Sequence, residues 1–172
     1  MTGNTQRERT GIQPPLCCHC NQPAEAKRLG NVLHINSFER SRAPNLPVWV
    51  CEPCEAKVGC HKMNPAMGFD TEWSPLGRPI NRNGAAARIE AHKVIDPLWD
   101  VPNRRERRVL RNIIYVYLAC ELGIDGDFHV GNLTADGCRR AILAAHRLRH
   151  DAEQAGVPIG RYLREHILNS IT

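Results

Sequence analysis

Cys17-Cys18-His19-Cys20 and Cys51-Glu52-Pro53-Cys54 decide how this chain is read. Each places two cysteines three positions apart, and thirty residues separate the pairs. Two intervening residues let both sulfurs of a pair turn onto one point while backbone N–H groups support the thiolates. Two such pairs supply the closed tetrahedral shell of a structural Zn²⁺. Cys17, Cys20, Cys51 and Cys54 are therefore the expected ligands of one zinc ion. Cys18 and His19 lie inside the first pair and are alternative ligands, which the standard spacing of the outer pair disfavours. Pro53 fits the turn of the second knuckle. A thioredoxin-like redox pair would need an α/β context that the chain does not suggest. Four thiolates leave no open coordination position, so this metal holds a fold together and does not itself catalyse.

Outward from the knuckles, Asn31–Ile35 and Pro47–Val50 read as short strands separated by a polar loop containing Pro44. Residues 16–62 thus form a small zinc-ribbon-like β module. Residues 1–15 read as a disordered tail ending in Pro14-Pro15. Residues 63–83, with Pro65, Gly68, Pro75, Gly77 and Pro79, read as a connecting loop.

From residue 84 the texture is helical. A helix from Gly84 should stop near Ile95, because Pro97 disfavours helical geometry at Asp96. Asn103 is a natural N-cap for a second helix that runs to Leu122 and ends at Gly123. Leu110, Ile113, Ile114, Tyr117 and Leu118 recur along it at helical spacing. Thr134 caps a third helix carrying Cys138, Ile142, Ala145 and Leu148, and Pro158 opens a last one through Tyr162, Leu163, Ile167 and Leu168. The expected fold is α+β: a four-cysteine β module followed by three to four helices over 84–172, packed on it.

The 172 residues are 42% hydrophobic and 24% charged, the composition of a globular chain. Aromatics are only 5%, so the core rests on aliphatic side chains and on the metal. No apolar run approaches the roughly 20 residues of a membrane-spanning helix. The polar opening Met1–Pro15 lacks a signal-peptide centre. A reducing cytoplasm is the expected setting, where eight cysteines favour metal over disulfides. The formal charge of +5 permits an acidic partner without demanding one.

Two weaker patterns remain. Cys60-His61, His92 with Asp96, His129 and Cys138 are metal-type residues from separate segments. If His61, His92, Asp96 and His129 converged with an open position, they would form a second metal site or an acid–base centre. The plainer reading is a packed interface with a His92–Asp96 hydrogen bond. Arginines form the other pattern. Arg104, Arg105, Arg107, Arg108 and Arg111 crowd the start of one helix, where positive charge opposes the macrodipole. Arg139 and Arg140 begin a second cluster that continues to Arg147 and Arg149, while Arg78, Arg82 and Arg88 lie in the loop and first helix. Arginine pairs with phosphate through forked hydrogen bonds, so these stripes point toward polyanions. A solvated face is the plain alternative.

The ordered motifs resemble a family. They are Cys17-x-x-Cys20, Val50-Cys51-x-Pro53-Cys54, Val58-Gly59-Cys60-His61 and Pro75-Leu76-Gly77, followed by Ala91-His92 and Asp96-Pro97-Leu98-Trp99. The Arg104–Leu122 helix, His129-Val130-Gly131 and Cys138-Arg139-Arg140 complete the series. This set resembles the zinc-finger-containing domain proteins of phages and prophages over residues 17–145. Cys18 stands where that knuckle usually has Pro, residues 80–87 lack most of the charges that commonly precede the helix, and the part after residue 150 is this chain's own. The resemblance implies zinc, a phage-type setting in a bacterial host's cytoplasm, and a scaffold around His61, His92, Asp96, Trp99, His129 and Cys138. It implies no reaction.

Three functions follow as expectations. The first is a non-enzymatic zinc accessory protein that contacts nucleic acid, DNA foremost, in phage replication, recombination or transcription control. The second is a protein–protein module docking on host machinery such as RNA polymerase or a defence complex. The third is a metal-dependent nuclease using His61, His92, Asp96 and His129.

Overall fold

A computed structural model describes residues 10–166. The chain divides into two compact units, Met1–Ala85 and Ala86–Thr172.

The first unit is built on a three-stranded antiparallel sheet in the order β1-β2-β3, with β1 at Glu25–Arg28, β2 at Pro47–Cys51 and β3 at Ala56–Gly59. Central β2 is buried along Val48, Trp49 and Val50 because both its faces are covered. Side chains alternate across a strand, so Trp49 faces one way and Val48 and Val50 the other. Trp49 meets Ala26 and Val58 across the register, with Ala24, Ile12 and Trp73 around it. Val48 and Val50 pack with Leu29, Val32 and Ile35. The segment expected as a strand at Asn31–Ile35 instead opens in a 3-10 turn, Leu29–Asn31, and sends Val32 and Ile35 into that second layer. Helix α1, Ser37–Arg42, follows, with the Asn36 side chain accepting from the Glu39 N–H.

The segment 63–83, expected as a connector, is part of this unit. Cys60 pairs with Pro75 and Lys57 with Ile80 in isolated bridges. Trp73 lies edge-on to Trp49 at 6.3 Å, and its carbonyl accepts from Trp49 Nε1 at 2.7 Å. The Arg28 guanidinium covers the Trp73 ring at 4.8 Å and donates to Glu72 through both terminal nitrogens. Of the expected tail, residues 1–9 lie outside the described residues. Thr10 is buried, its carbonyl accepts from the Thr71 hydroxyl, and Ala24 donates to the Pro15 carbonyl.

The helices are α2 (Arg82–Ile95), α3 (Arg104–Leu122), α4 (Ala135–Gln154) and α5 (Ile159–His166). Pro97 ends α2 by opening a 3-10 turn, Asp96–Trp99. Asn103 caps α3 by accepting from the N–H groups of Arg105 and Glu106, and Gly123 closes it at φ +66°. Only glycine adopts that conformation without a steric penalty. Thr134 caps α4 by accepting from the Gly137 N–H. Ile114 and Leu118 of α3, Leu148 of α4 and Leu163 of α5 are fully buried together. Ala141, Ala144 and Ala145 give α4 a small-residue face in the same core. Trp99, Tyr115 and Phe128 extend it through edge-on ring contacts of 5.3 and 5.1 Å. Ile167 and Leu168, expected in the last helix, lie outside the described residues. The architecture is α+β, a small sheet with its cysteine cluster followed by four helices.

Candidate metal centre

The two knuckles share one backbone feature. After Cys20 and after Cys54 the backbone turns left-handed, at Asn21 (φ +57°) and Glu55 (φ +49°). These two are the only non-glycine positions with positive φ among the described residues. Asn21 N–H closes the first turn onto the Cys17 carbonyl at 3.0 Å, and His19 N–H donates to Cys17 Sγ at 3.4 Å. In the second, Glu52–Cys54 forms a 3-10 turn with Pro53 near its start. Loop and sheet then bring the pairs together, because Cys51 ends β2 and the Leu16–Pro23 bridge holds the first knuckle's stem.

The sulfurs of Cys17, Cys20, Cys51 and Cys54 all lie within 4.8 Å of one another, with Cys20 and Cys51 at 3.6 Å. A tetrahedron with Zn–S bonds of about 2.3 Å has S···S edges of about 3.8 Å, so the donor set fits Zn²⁺. Cys18 and His19 stay outside the group. His19 instead accepts the Asn81 N–H at Nε2. Cys17 and Cys51 are buried while Cys20 is exposed, so the site sits at a surface with its inner half shielded. The thiols are shifted in opposite senses. A backbone hydrogen bond from Gln22 lowers Cys20 to about 7, and burial pushes Cys51 up to about 12. The neighbouring Cys20 thiol raises Cys54 as well, so Cys51 and Cys54 resist ionisation. The charge of Zn²⁺ relieves that resistance, so metal binding expels protons and stabilises the folded unit.

Side chains that the spacing did not reveal brace the knuckles. Arg78 donates to the carbonyls of Leu16 and Cys17 and to Asn21 Oδ1, all within 2.9 Å. It serves the first knuckle. Glu52, between the second pair of cysteines, accepts from Lys27 Nζ at 2.9 Å, Leu33 N–H at 3.2 Å and His34 Nδ1 at 2.7 Å. Its carboxyl is held down to about 2: burial opposes this, and the bonds from Lys27 and His34 outweigh it. The three partners come from other segments, so only the fold makes them neighbours.

The weaker metal-type residues have local roles. His92 Nδ1 bonds Asp96 at 3.2 Å on the exposed end of α2. His129 caps the turn Val130–Asn132, its Nδ1 accepting from Gly131 N–H at 3.0 Å. His61 stacks on Phe69 at 3.9 Å. Cys60 is half-buried, and burial pushes its thiol up to about 12. Cys138 is fully buried in the helical core. Among the described residues, the four cysteines are the one group of three or more ligating side chains that closes on a common point.

The arginines divide. Arg139 pairs with Asp136, and Arg147 with Glu121. Arg140 donates to the Leu122 carbonyl at 2.8 Å, satisfying the end of α3. Arg88 is buried and donates to the Leu133 carbonyl. Arg107 binds Asp100 and the Val101 carbonyl, and Arg111 lies over the Tyr115 ring at 5.8 Å. Arg104, Arg105 and Arg108 are exposed on the opening turns of α3.

A model of the zinc-finger-containing domain matches residues 14–148. The chain belongs to that family. No curated protein and no solved structure matches the chain. The family match spans both knuckles, α2, α3 and most of α4, so the four-cysteine site and the arginine-led helix fall within the zinc-finger-containing domain. No helix among the described residues is long and apolar enough to cross a membrane.

Proposed function

We propose that this zinc-finger-containing protein is a phage-type accessory protein that contacts nucleic acid, DNA foremost, through the opening of α3. The observation that carries the proposal is the division of the arginines. Arg139, Arg147 and Arg140 of α4 are tied to Asp136, Glu121 and the end of α3. Arg104, Arg105 and Arg108 stand exposed at a helix N-terminus, where their charge works against the helix. Arg104, Arg108 and Arg111 are spaced along one helix face, which suits successive phosphates. The zinc holds the scaffold and takes no part in contact.

A protein-docking role is the second reading. Val109 and Val116 are each 49% exposed beside the arginine stripe and would give a partner protein an apolar hold. Fluorescence anisotropy with double-stranded DNA, single-stranded DNA and RNA at 50 and 200 mM salt separates the two. For contact with duplex DNA, replacing Arg104, Arg105 and Arg108 by Ala should reduce the salt slope by about 2.7, since each phosphate contact contributes roughly 0.9. Zinc content should stay unchanged. An unaltered slope removes α3 from the account, and salt-insensitive behaviour on every strand favours the protein partner. The same strands run on denaturing gels with Mg²⁺ or Mn²⁺ test cleavage, and cutting lost in His92→Ala would establish the nuclease instead.

A further inference from the structure

The chain has eight histidines, and the fold uses six of them. His19, His34, His92, His129 and His166 take part in hydrogen bonds, and His61 stacks on Phe69. His146 and His150 have no hydrogen bond, ion pair or ring contact among the described residues. Both are exposed, and they stand four positions apart on α4.

That spacing places the two imidazoles together. Residues four apart lie one above the other on a helix face, with Cβ atoms about 5–6 Å apart. The backbone beneath them is held in place, because Thr134 caps α4 and Ala141, Ala144, Ala145 and Leu148 bury its inner face. The separation of the pair is therefore set before any ligand arrives. Two histidines at this spacing on one helix face are the arrangement by which helical metal motifs hold an ion. Imidazole nitrogen suits divalent late transition metals, whereas Mg²⁺ prefers oxygen. The surrounding charge does not oppose a cation. Arg147 is drawn to Glu121 at 2.6 Å. Glu153, one turn beyond His150 on the same face, is exposed and has no ion pair among the described residues.

We infer that His146 and His150 chelate a divalent late transition-metal ion on the exposed face of α4, with the remaining coordination positions open to solvent. The four thiolates belong to the other unit and form a closed shell. They take zinc first, so one equivalent of zinc leaves the histidine pair empty and an excess of metal fills it. His146 and His150 are binding residues here, and no reaction is assigned to them.

The test uses the tag-free full chain loaded with one equivalent of zinc and titrated with Ni²⁺ at pH 7.5. Calorimetry reads stoichiometry and affinity, and ¹⁵N spectra of labelled histidine read the site. One Ni²⁺ per chain should bind without release of zinc. The paramagnetic ion should broaden the His146 and His150 ring signals and leave that of His92 visible. His146→Ala and His150→Ala should each weaken Ni²⁺ at least tenfold. Both positions are exposed, and alanine is the strongest helix former, so both variants keep α4. His150→Ala combined with Asp151→His retains two imidazoles but turns one about 100° around the helix. It should bind no better than His150→Ala alone. Mg²⁺ should not bind at the pair. Undiminished affinity in either single variant or in the spacing control overturns the inference. So does Mg²⁺ held as tightly as Ni²⁺, nickel taken up only as zinc is expelled, or no uptake of nickel.

Discussion

Replacing Glu52 by Gln should cost the first unit about 2 kcal/mol, the strength of one charge-assisted hydrogen bond. The change keeps the side chain's shape and the oxygen that accepts from His34. It turns the other oxygen into an N–H₂ group that faces Lys27 Nζ and the Leu33 N–H, now at 2.9 and 3.2 Å from a carboxylate oxygen. Lys27 would keep only Glu25, at 3.4 Å. An upper bound comes from the carboxyl itself, held at about 2 against its ordinary 4.5. That displacement corresponds to roughly 3 kcal/mol, and partial exposure of both partners reduces it. The sign is that of a depressed acid: the contribution is complete above 4.5 and fades as pH falls toward 2. Measurement at pH 7.5 therefore reads the whole effect. The assay is urea unfolding of zinc-loaded protein in a Trp99→Phe background, where Trp49 and Trp73 report the first unit. Zinc content is measured in parallel. A loss below about 0.5 kcal/mol, the level of a weak surface pair, would refute the bracing role. Loss of the metal from folded protein would refute it differently, by placing Glu52 among the ligands.

Two further substitutions test the local reasoning. Glu55 adopts φ +49°, and a left-handed residue with a Cβ costs roughly 1–2 kcal/mol. Glu55→Gly should therefore leave the first unit's urea midpoint unchanged or raise it slightly, whereas Glu55→Val should lower it. A lower midpoint for the glycine variant would contradict the strain. Leu118→Ala opens a cavity in the helical unit at a fully buried position, which costs about 3–5 kcal/mol. Trp99 fluorescence should record that loss with zinc content unchanged, and an effect below about 1 kcal/mol would place Leu118 outside the core.

What could be read from the sequence was local. Asn103, Thr134 and Gly123 act on the turns beside them, so the bounds of α3 and the start of α4 were legible from capping chemistry. The cysteine spacing specified its cluster for the same reason, since each knuckle is a self-contained turn. What was missed depended on distant partners. Glu25-Ala26-Lys27-Arg28 is poor in strand-forming residues and becomes β1 because β2 lies beside it. Asn31–Ile35 has strand-like composition, yet its apolar residues are needed over Val48 and Val50, and a turn delivers them. The prolines and glycines of 63–83 signalled a connector, while Trp73 closes the other face of β2. Arginine 140 looked like part of a charged stripe, and only the end of α3 beside it reveals its use. The Glu52–His34 pair spans eighteen residues and leaves no periodic trace.

X-ray absorption at the zinc edge of the intact protein tests the central claim most directly. A closed site of Cys17, Cys20, Cys51 and Cys54 predicts one zinc per chain in a shell of four sulfurs at about 2.3 Å. Cys18→Ser and His19→Ala should leave that shell unaltered. A nitrogen or oxygen in the first shell, or a shell that changes with either substitution, would contradict the closed four-thiolate centre on which the fold is built.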